Sequence, residues 1–376
     1  MKILHLVGQR EDFGGILSVI RSLHQVGPVE SYQHTVWVHR DYLETRGPAL
    51  DYRRGSFIIS DSPSHLAIFL TSALAFFGLR RLVKREAFDV IHAHTRGGLV
   101  VALLVAWFMR RPVLFTNHTF ANRTSFYRWV AKRKRVTSVL LNPAMARHYD
   151  MTIAEPSRWI VFSGCADRFL EEPLGANAWP SAEPKAKLRL VGMGSIVRWK
   201  GWHLPVKALA KLPQELRDRV EFHLWGPEQQ DADAQAFVRE LREFVEKNEL
   251  QKSVFLHGST NEVVASLQSG HFVVVASENE PCSVSLMESL ALGLPALAAR
   301  SGGNVDIVRD GETGVLFESG SEDDLAAKLV SVLNGEITLC NRAEFRVCVR
   351  GWAASAMTEK YNRIYDHMAQ LNSTKS

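Results

Sequence analysis

Residues 277–291 read SENEPCSVSLMESLA, directly after the apolar run FVVVAS (272–277) and before GLPALAA (293–299). The pattern predicts a buried strand, a loop over 277–281, and a helix that stops at Gly293 ahead of Pro295. The first amides of such a helix, near Cys282, Ser283 and Val284, have no intrahelical acceptor, so they form an anion site suited to a phosphate. Glu280 falls in the loop before the helix and Glu288 on its second turn. The two acids therefore flank one helix N-terminus instead of sharing a helix face. A carboxylate there can accept from two vicinal hydroxyls, as a ribose or hexose offers. On the residues alone, a capping acid at Glu280 and a rim acid at Glu288 explain them equally well. Glu278 reads as an exposed loop acid.

Around this stretch the same theme repeats. LRLVGMGS (188–195), VEFHLWG (220–226), VFLHG (254–258), PALAA (295–299) and GVLF (314–317) read as short buried strands. Helical patterns lie between them, among them DAQAFVRELREFVEKNEL (233–250) and SEDDLAAKLVSVLN (321–334). The first half follows suit, with strands expected at 2–7, 34–39, 55–60, 88–94, 112–118, 138–142 and 159–164. A long helix is expected over 64–86 with Ser64 as its cap, and a buried one from Gly97. Short apolar strands alternating with helices indicate parallel sheets covered on both faces. The stretch 169–187, with Pro173, Pro180 and Pro184 in a polar setting, reads as a linker. The expected fold is α/β, with two Rossmann-like doubly wound domains over 1–168 and 188–352. Such sheets bind ligands at the carboxyl ends of their strands, which makes an interdomain cleft the expected active site.

The length of 376 residues also favours two cores. Four cysteines, Cys165, Cys282, Cys340 and Cys348, show no metal-ligand spacing and read as reduced thiols. The start MKILHLVGQREDFGG has too short an apolar run for a signal peptide. The apolar runs 66–79 and 99–109 fall short of the roughly 20 residues a spanning helix needs, so no transmembrane helix is expected. The net charge of +5 is unevenly spread. Residues 1–170 hold 23 Lys+Arg against 12 Asp+Glu, a balance of +11, and the remainder holds 22 against 28, a balance of −6. A basic half of this kind fits a polyanion or an anionic membrane; the plain alternative is a solvated face.

Three further constellations carry possible chemistry. GMGSIVRWKG (192–201) runs from a strand through glycines to Arg198 and Lys200, an arrangement able to clamp a phosphate but not a Walker A loop. DFGG places Gly14 and Gly15 after the first strand, where backbone can approach a ligand closely. His94 and His118 leave the carboxyl ends of buried strands, where an imidazole can bond a substrate hydroxyl or simply be structural. DAD (231–233) sits at a helix start and reads as a cap, not a metal site. Cys282 has no organised histidine partner and reads as a small residue at a helix start.

Together GMGSIVRWKGWHLPVKALAKL, HLWGPE, VFLHG and SENEPCSVSLMESLALGLPALAARSGGNVDIVRDGETGVLF resemble the retaining, nucleotide-sugar-dependent glycosyltransferases of family 4, which have the GT-B fold. The likeness spans nearly the whole chain and is strongest over 188–330, with Glu280 and Glu288 as the E-x7-E motif. It implies that Glu288 binds the nucleotide ribose and that Glu280 contacts the donor sugar. It further implies that the amides of Ser283 and Val284 hold the donor phosphate, and that Lys200 with Arg198 neutralises the diphosphate leaving group. Gly14 and Gly15 would approach the donor, His118 would contact the sugar, and a C-terminal helix within about 353–376 would return to the first domain. Ser195 stands where the family often has arginine, Ser163-Gly164 where it has Asn-Gly, and Asp306 where it has glutamate.

The resemblance implies retention of configuration and no metal or other cofactor, because a helix N-terminus with lysine and arginine can stabilise a departing diphosphate. The aromatic, basic stretches AFFGLRRLVKR (75–85) and SFYRWVAKRKRV (125–136) suit an anionic membrane surface. The expected protein is thus a glycosyltransferase of polysaccharide or glycolipid synthesis, cytoplasmic or at the inner face of the membrane, acting on a glycan or lipid-linked acceptor. A nucleotide-sugar 2-epimerase of similar architecture is the alternative. No nucleic-acid motif is present, and the acidic second half argues against such a partner.

Overall fold

The computed structural model describes residues 1–8, 15–26, 31–44, 50–55, 64–175 and 187–373. It divides into two compact units, Met1–Gly164 with Ala353–Ser376, and Cys165–Trp352. The start of the expected linker is part of the second unit. The helix Arg168–Glu171 lies there, Arg346 bonds the Glu172 carbonyl, and Gln268 donates to the Pro173 carbonyl at 2.8 Å. The remainder of the expected linker, 176–186, lies outside the described residues.

The first unit holds a seven-stranded parallel sheet in the order β3-β2-β1-β4-β5-β6-β7. Its strands are β1 (Lys2–Leu6), β2 (Gln33–His39), β3 (Asp51–Gly55), β4 (Val90–Ala93), β5 (Val113–Asn117), β6 (Val136–Leu140) and β7 (Arg158–Ile160). The third strand covers Asp51–Gly55, and 56–60, the rest of the strand expected at 55–60, lies outside the described residues. β3 is an edge strand, so its partly exposed Tyr52 and Arg53 need no apolar pattern. Along β1, Ile3 and His5 face α1 (Gly15–Val26) and the C-terminal helix Ala354–Ser373, in a core that includes Val19, Leu23, Met357, Tyr361, Ile364 and Tyr365. Alternation sends Leu6 to the other face, where Gly98 of α3 (Arg96–Met109) packs against it. Alongside α3 runs α2 (His65–Glu86), capped by Ser64. Its span Leu66–Glu86, with mean hydropathy 1.7, is long and apolar enough to cross a membrane by length and composition, longer than its continuous apolar run indicates.

The second unit holds a six-stranded parallel sheet in the order β10-β9-β8-β11-β12-β13. These are β8 (Leu188–Met193), β9 (Val220–Trp225), β10 (Val254–Gly258), β11 (Phe272–Val275), β12 (Ala296–Ala299) and β13 (Gly314–Phe317). Phe222, Leu224, Phe237, Phe317, Leu325 and Leu329 anchor its core. Each sheet reverses strand order once, between β1 and β4 and between β8 and β11. In open α/β sheets that reversal, at the carboxyl ends, is where ligands bind. In the second unit it opens onto Gly194–Lys200 and Ser277–Pro281; in the first, onto His94, which follows β4.

Candidate active site

In the second unit the site is built from two loops that glycine lets approach. β8 runs into a short turn of 3-10 helix, Arg198–Lys200, ended by Gly201 at φ +70°. A Cβ on Gly201 would stand 2.2 Å from the Ala276 carbonyl oxygen, so only glycine allows this turn to lie against the end of β11. That approach puts Lys200 Nζ 2.5 Å from Glu280 Oε2. Ser277 Oγ donates to the same oxygen at 3.2 Å, and Lys200 lies over the Trp199 ring. Glu280, in the loop before the helix as expected, is buried. Its backbone is clamped too: Gly303 N–H donates to the Glu280 carbonyl at 2.7 Å, and Gly302 at φ +55° leaves no room for a side chain beside it. Glu278 is exposed, as expected.

The helix that follows covers Val284–Ala291, with Ser283 as N-cap accepting from the Leu286 amide. The bonds at this helix start engage the Leu286 and Met287 amides, not those of Ser283 and Val284. Those two remain oriented for an anion at the positive end of the helix. Glu288, half-buried one turn on, has no side-chain hydrogen-bond partner among the described residues. Burial pushes its carboxyl up to about 7, against the opposing pull of Arg168. A carboxylate so placed has its full accepting capacity for a pair of hydroxyls.

The structure brings Lys200, not Arg198, to Glu280. Arg198 turns to the helix Ala232–Lys247, where its guanidinium bonds both Glu240 oxygens at 2.7 and 2.8 Å and lies over Phe237. Asp231 caps that same helix through the Ala234 amide at 2.9 Å, so the acid pair there is a cap. Cys282 is buried and, like the other three cysteines, forms no disulfide.

In the first unit a cavity of about 560 Å³ lies at the carboxyl ends of β4 and β5, with His94, Thr95, Arg96, Asn117, His118 and Arg123 among its lining. Burial holds His118 down to about 4, so it is neutral at physiological pH. Gly15 opens α1, and a Cβ there would meet nothing within 4 Å; Gly14 lies outside the described residues. His5, His92 and His94 form a buried group whose nitrogens converge within 4.8 Å, close enough to consider a metal. All six ring nitrogens already have hydrogen-bond partners, however: one another, His34, His118, Tyr365 and Thr116. Sequence reading singled out His94 and His118 but missed His5, His34 and His92, whose apolar strand neighbours gave them the look of ordinary core positions. Ser277 and Trp199 were missed as well, because only the fold brings them to Glu280 and Lys200.

Residues 13–160 match the model of the family Glycosyltransferase Family 4, and residues 176–345 match that of Glycosyl transferases group 1. The D-inositol 3-phosphate glycosyltransferase of Corynebacterium glutamicum (strain R) is 28% identical over 80% of this chain and 77% of its own length. The sulfoquinovosyl transferase SQD2 of Arabidopsis thaliana is 27% identical over 73% of this chain and 54% of its own. Among solved structures, a glycosyltransferase from Rickettsia africae ESF-5 superposes with a TM-score of 0.74 at 17% identity, covering 98% of both chains. Anabaena Alr3699/HepE in complex with UDP superposes with a TM-score of 0.73 at 17% identity, over 98% of this chain and 100% of that one. The named relatives are transferases, which does not favour the epimerase alternative. The chain is a glycosyltransferase with the two-domain, Rossmann-like GT-B fold, its two halves matched by the family 4 and group 1 glycosyltransferases.

Proposed function

We propose that the protein transfers a sugar from a nucleotide-sugar donor to a glycan or lipid-linked acceptor, with retention of configuration, in the synthesis of a cell-surface polysaccharide or glycolipid. The observation that carries this reading is the arrangement around one capped helix N-terminus: amides of Ser283 and Val284 and a Glu288 carboxyl that have no hydrogen-bond partner among the described residues, with Lys200 paired to buried Glu280 beside them. The amides take the donor diphosphate, Glu288 the ribose hydroxyls, and Glu280 a hydroxyl of the sugar. As the sugar–phosphate bond breaks, negative charge grows on the departing diphosphate, and the helix dipole with Lys200 stabilises it. His118, neutral in its cavity, contacts a sugar hydroxyl.

The UDP held by Anabaena HepE makes a uridine diphosphate sugar the first donor to try. A thermal-shift panel of nucleotide sugars identifies the donor, and calorimetry with Glu288→Ala tests the site. Removal of the ribose acceptor is expected to weaken the donor about tenfold or more; unchanged affinity overturns the role of Glu288. Anomeric proton coupling in the NMR spectrum of the product reads retention or inversion directly. No metal is assigned to the reaction, so chelation with EDTA is expected to leave the rate unchanged, and a rate restored only by a divalent cation overturns that.

The acceptor side is proposed to work at an anionic membrane surface, at the inner face of the cytoplasmic membrane. Leu66, Phe69, Leu70, Leu74 and Phe77 form an exposed stripe on α2, and Arg80, Arg81 and Lys84 continue it. Phe76 and Phe108 touch, with ring centroids 5.2 Å apart, and so join α3 to the patch, where Trp107 is 84% exposed. Apolar surface of this extent with basic residues at its edge fits the headgroup region of an anionic bilayer. In the stretch 125–136, by contrast, the helix ends at Val130 and Tyr127 is buried, so in this proposal only Trp129 and the exposed cations 132–135 are offered to the membrane.

A further inference from the structure

Four adjacent strands of the first sheet bring four histidines into a diagonal row, each two residues further along its strand than the last. His34 lies on β2, His5 on β1, His94 directly after β4 and His118 directly after β5. Register makes this possible: Ile3 pairs with His34 and His5 with His92, so His34, His5 and His94 fall on one face. The rings are hydrogen-bonded in series. His34 Nδ1 meets His5 Nε2 at 2.9 Å, His5 Nδ1 meets His94 Nε2 at 2.9 Å, and His94 Nδ1 meets His118 Nε2 at 3.2 Å. His92 lies outside the series, bonded through Nδ1 to the Tyr365 hydroxyl and through Nε2 to Thr116, each at 2.8 Å.

Burial holds all four rings of the series neutral. A neutral imidazole has one donor and one acceptor, so a series joined nitrogen to nitrogen must be polarised in a single direction. Either every ring carries its proton on Nδ1 and donates toward His118, or every ring carries it on Nε2 and donates toward His34. The far end decides between them. His34 Nε2 is buried with no hydrogen-bond partner among the described residues. The second arrangement would leave an orphaned N–H there, the costlier defect in a protein interior, whereas the first leaves only a lone pair.

We propose that His34, His5 and His94 are positioning residues that hold His118 as its Nδ1–H tautomer, so that the cavity of the first unit meets a fixed hydrogen-bond donor and not a base. Neutral histidine in water favours Nε2–H, so the series imposes the opposite form. A fixed donor selects an acceptor oxygen, and a sugar hydroxyl or phosphate oxygen satisfies it. It cannot remove a proton from an attacking hydroxyl. The inference deepens the proposed glycosyl transfer by giving His118 its direction, but the tautomer itself is a property of the protein without substrate.

Long-range proton–nitrogen NMR of ring-15N-histidine protein, with assignments from single-histidine variants, reads each tautomer. The expected spectrum shows His34, His5, His94 and His118 all protonated on Nδ1. His94→Phe removes the donor to His118 Nε2 and is expected to return His118 to mainly Nε2–H. His94→Asn, whose side-chain amide can donate from the place of Nδ1, restores the Nδ1–H form. A thermal melt of each variant separates unfolding from tautomer exchange. His118 found as Nε2–H in the unsubstituted protein, or unmoved by His94→Phe in a folded variant, overturns the proposal. With an identified donor, His94→Phe is expected to lower kcat about tenfold or more while the donor KM holds, and His94→Asn to recover most of it. Should transfer activity not be found, the tautomer result still stands or falls alone.

Discussion

Glu288 is the residue whose environment makes the sharpest demand. Its carboxyl sits near 7 in the folded chain because burial disfavours the charge. A folded pKa raised above that of the unfolded chain means the protonated form is preferred, so this group weakens stability as pH climbs from the ordinary glutamate range through 7. Donor binding runs the other way, because ribose hydroxyls are best accepted by the carboxylate. Between pH 6 and pH 8 the ionised fraction rises about tenfold for a group titrating at 7, and donor affinity is expected to rise with it. A nucleotide sugar has no phosphate ionisation in that range, so the slope reports the protein. Calorimetry across the range checks this, with Glu288→Gln expected to bind weakly and without slope; a flat profile in the unsubstituted protein refutes the assignment. Gly201 makes a second demand. Gly201→Ala adds a left-handed backbone penalty to a clash with the Ala276 carbonyl, about 2 kcal/mol or more, and is expected to lower Tm and donor affinity together. The glycine and the lysine beside it were legible in sequence. The pairing of Lys200 with Glu280, 80 residues on, was not, because no local pattern encodes which loops a sheet brings together.

At the scale of elements, buried parallel strands were legible because a strand covered on both faces must be apolar throughout, as at β11 and β12. Residues 51–54 of β3 were missed because an edge strand escapes that constraint. Glu280 and Glu288 were placed correctly around a helix start by strand, loop and cap signals alone, whereas the direction of Arg198 depended on a glutamate on another helix. α2 shows a different limit. Its apolar content is visible in sequence, but its exposed stripe appears only once Ile68, Ser72, Ala75, Leu79 and Leu82 are seen to be buried. Phe69→Ser, Phe77→Ser and Trp107→Ser together are expected to weaken partition into anionic vesicles by about 3 kcal/mol, roughly a hundredfold. Replacing Arg80, Arg81 and Lys84 by Ser should instead remove most of the salt dependence. Cosedimentation with vesicles at two ionic strengths separates the two effects, and binding unchanged in the aromatic variant refutes insertion by this face.

At the scale of the whole molecule, the two units are not alike in how the chain makes them. The second is continuous, Cys165–Trp352, and contains its own sheet, its own core, and Lys200, Glu280, Ser283, Val284 and Glu288. The first is discontinuous and needs the returning helix Ala354–Ser373, which buries Met357, Tyr361, Ile364, Tyr365 and Met368. Five large apolar side chains at about 2 kcal/mol each amount to about 10 kcal/mol, the order of a whole domain's net stability. Without that helix His92 also loses the Tyr365 hydroxyl and is left with an unpaired buried nitrogen. The fragment 165–352 is therefore expected to fold cooperatively and to bind the nucleotide-sugar donor, whereas 1–164 alone should not fold. Adding a peptide of residues 353–373 in trans supplies the missing layer and is expected to restore a cooperative melt to 1–164. Circular dichroism melts of the three preparations, with calorimetry of the donor on 165–352, decide the matter. A stable 1–164 would show that the returning helix is not needed to complete the first core, and a folded 165–352 without donor affinity would show that the donor residues of the second unit are insufficient by themselves.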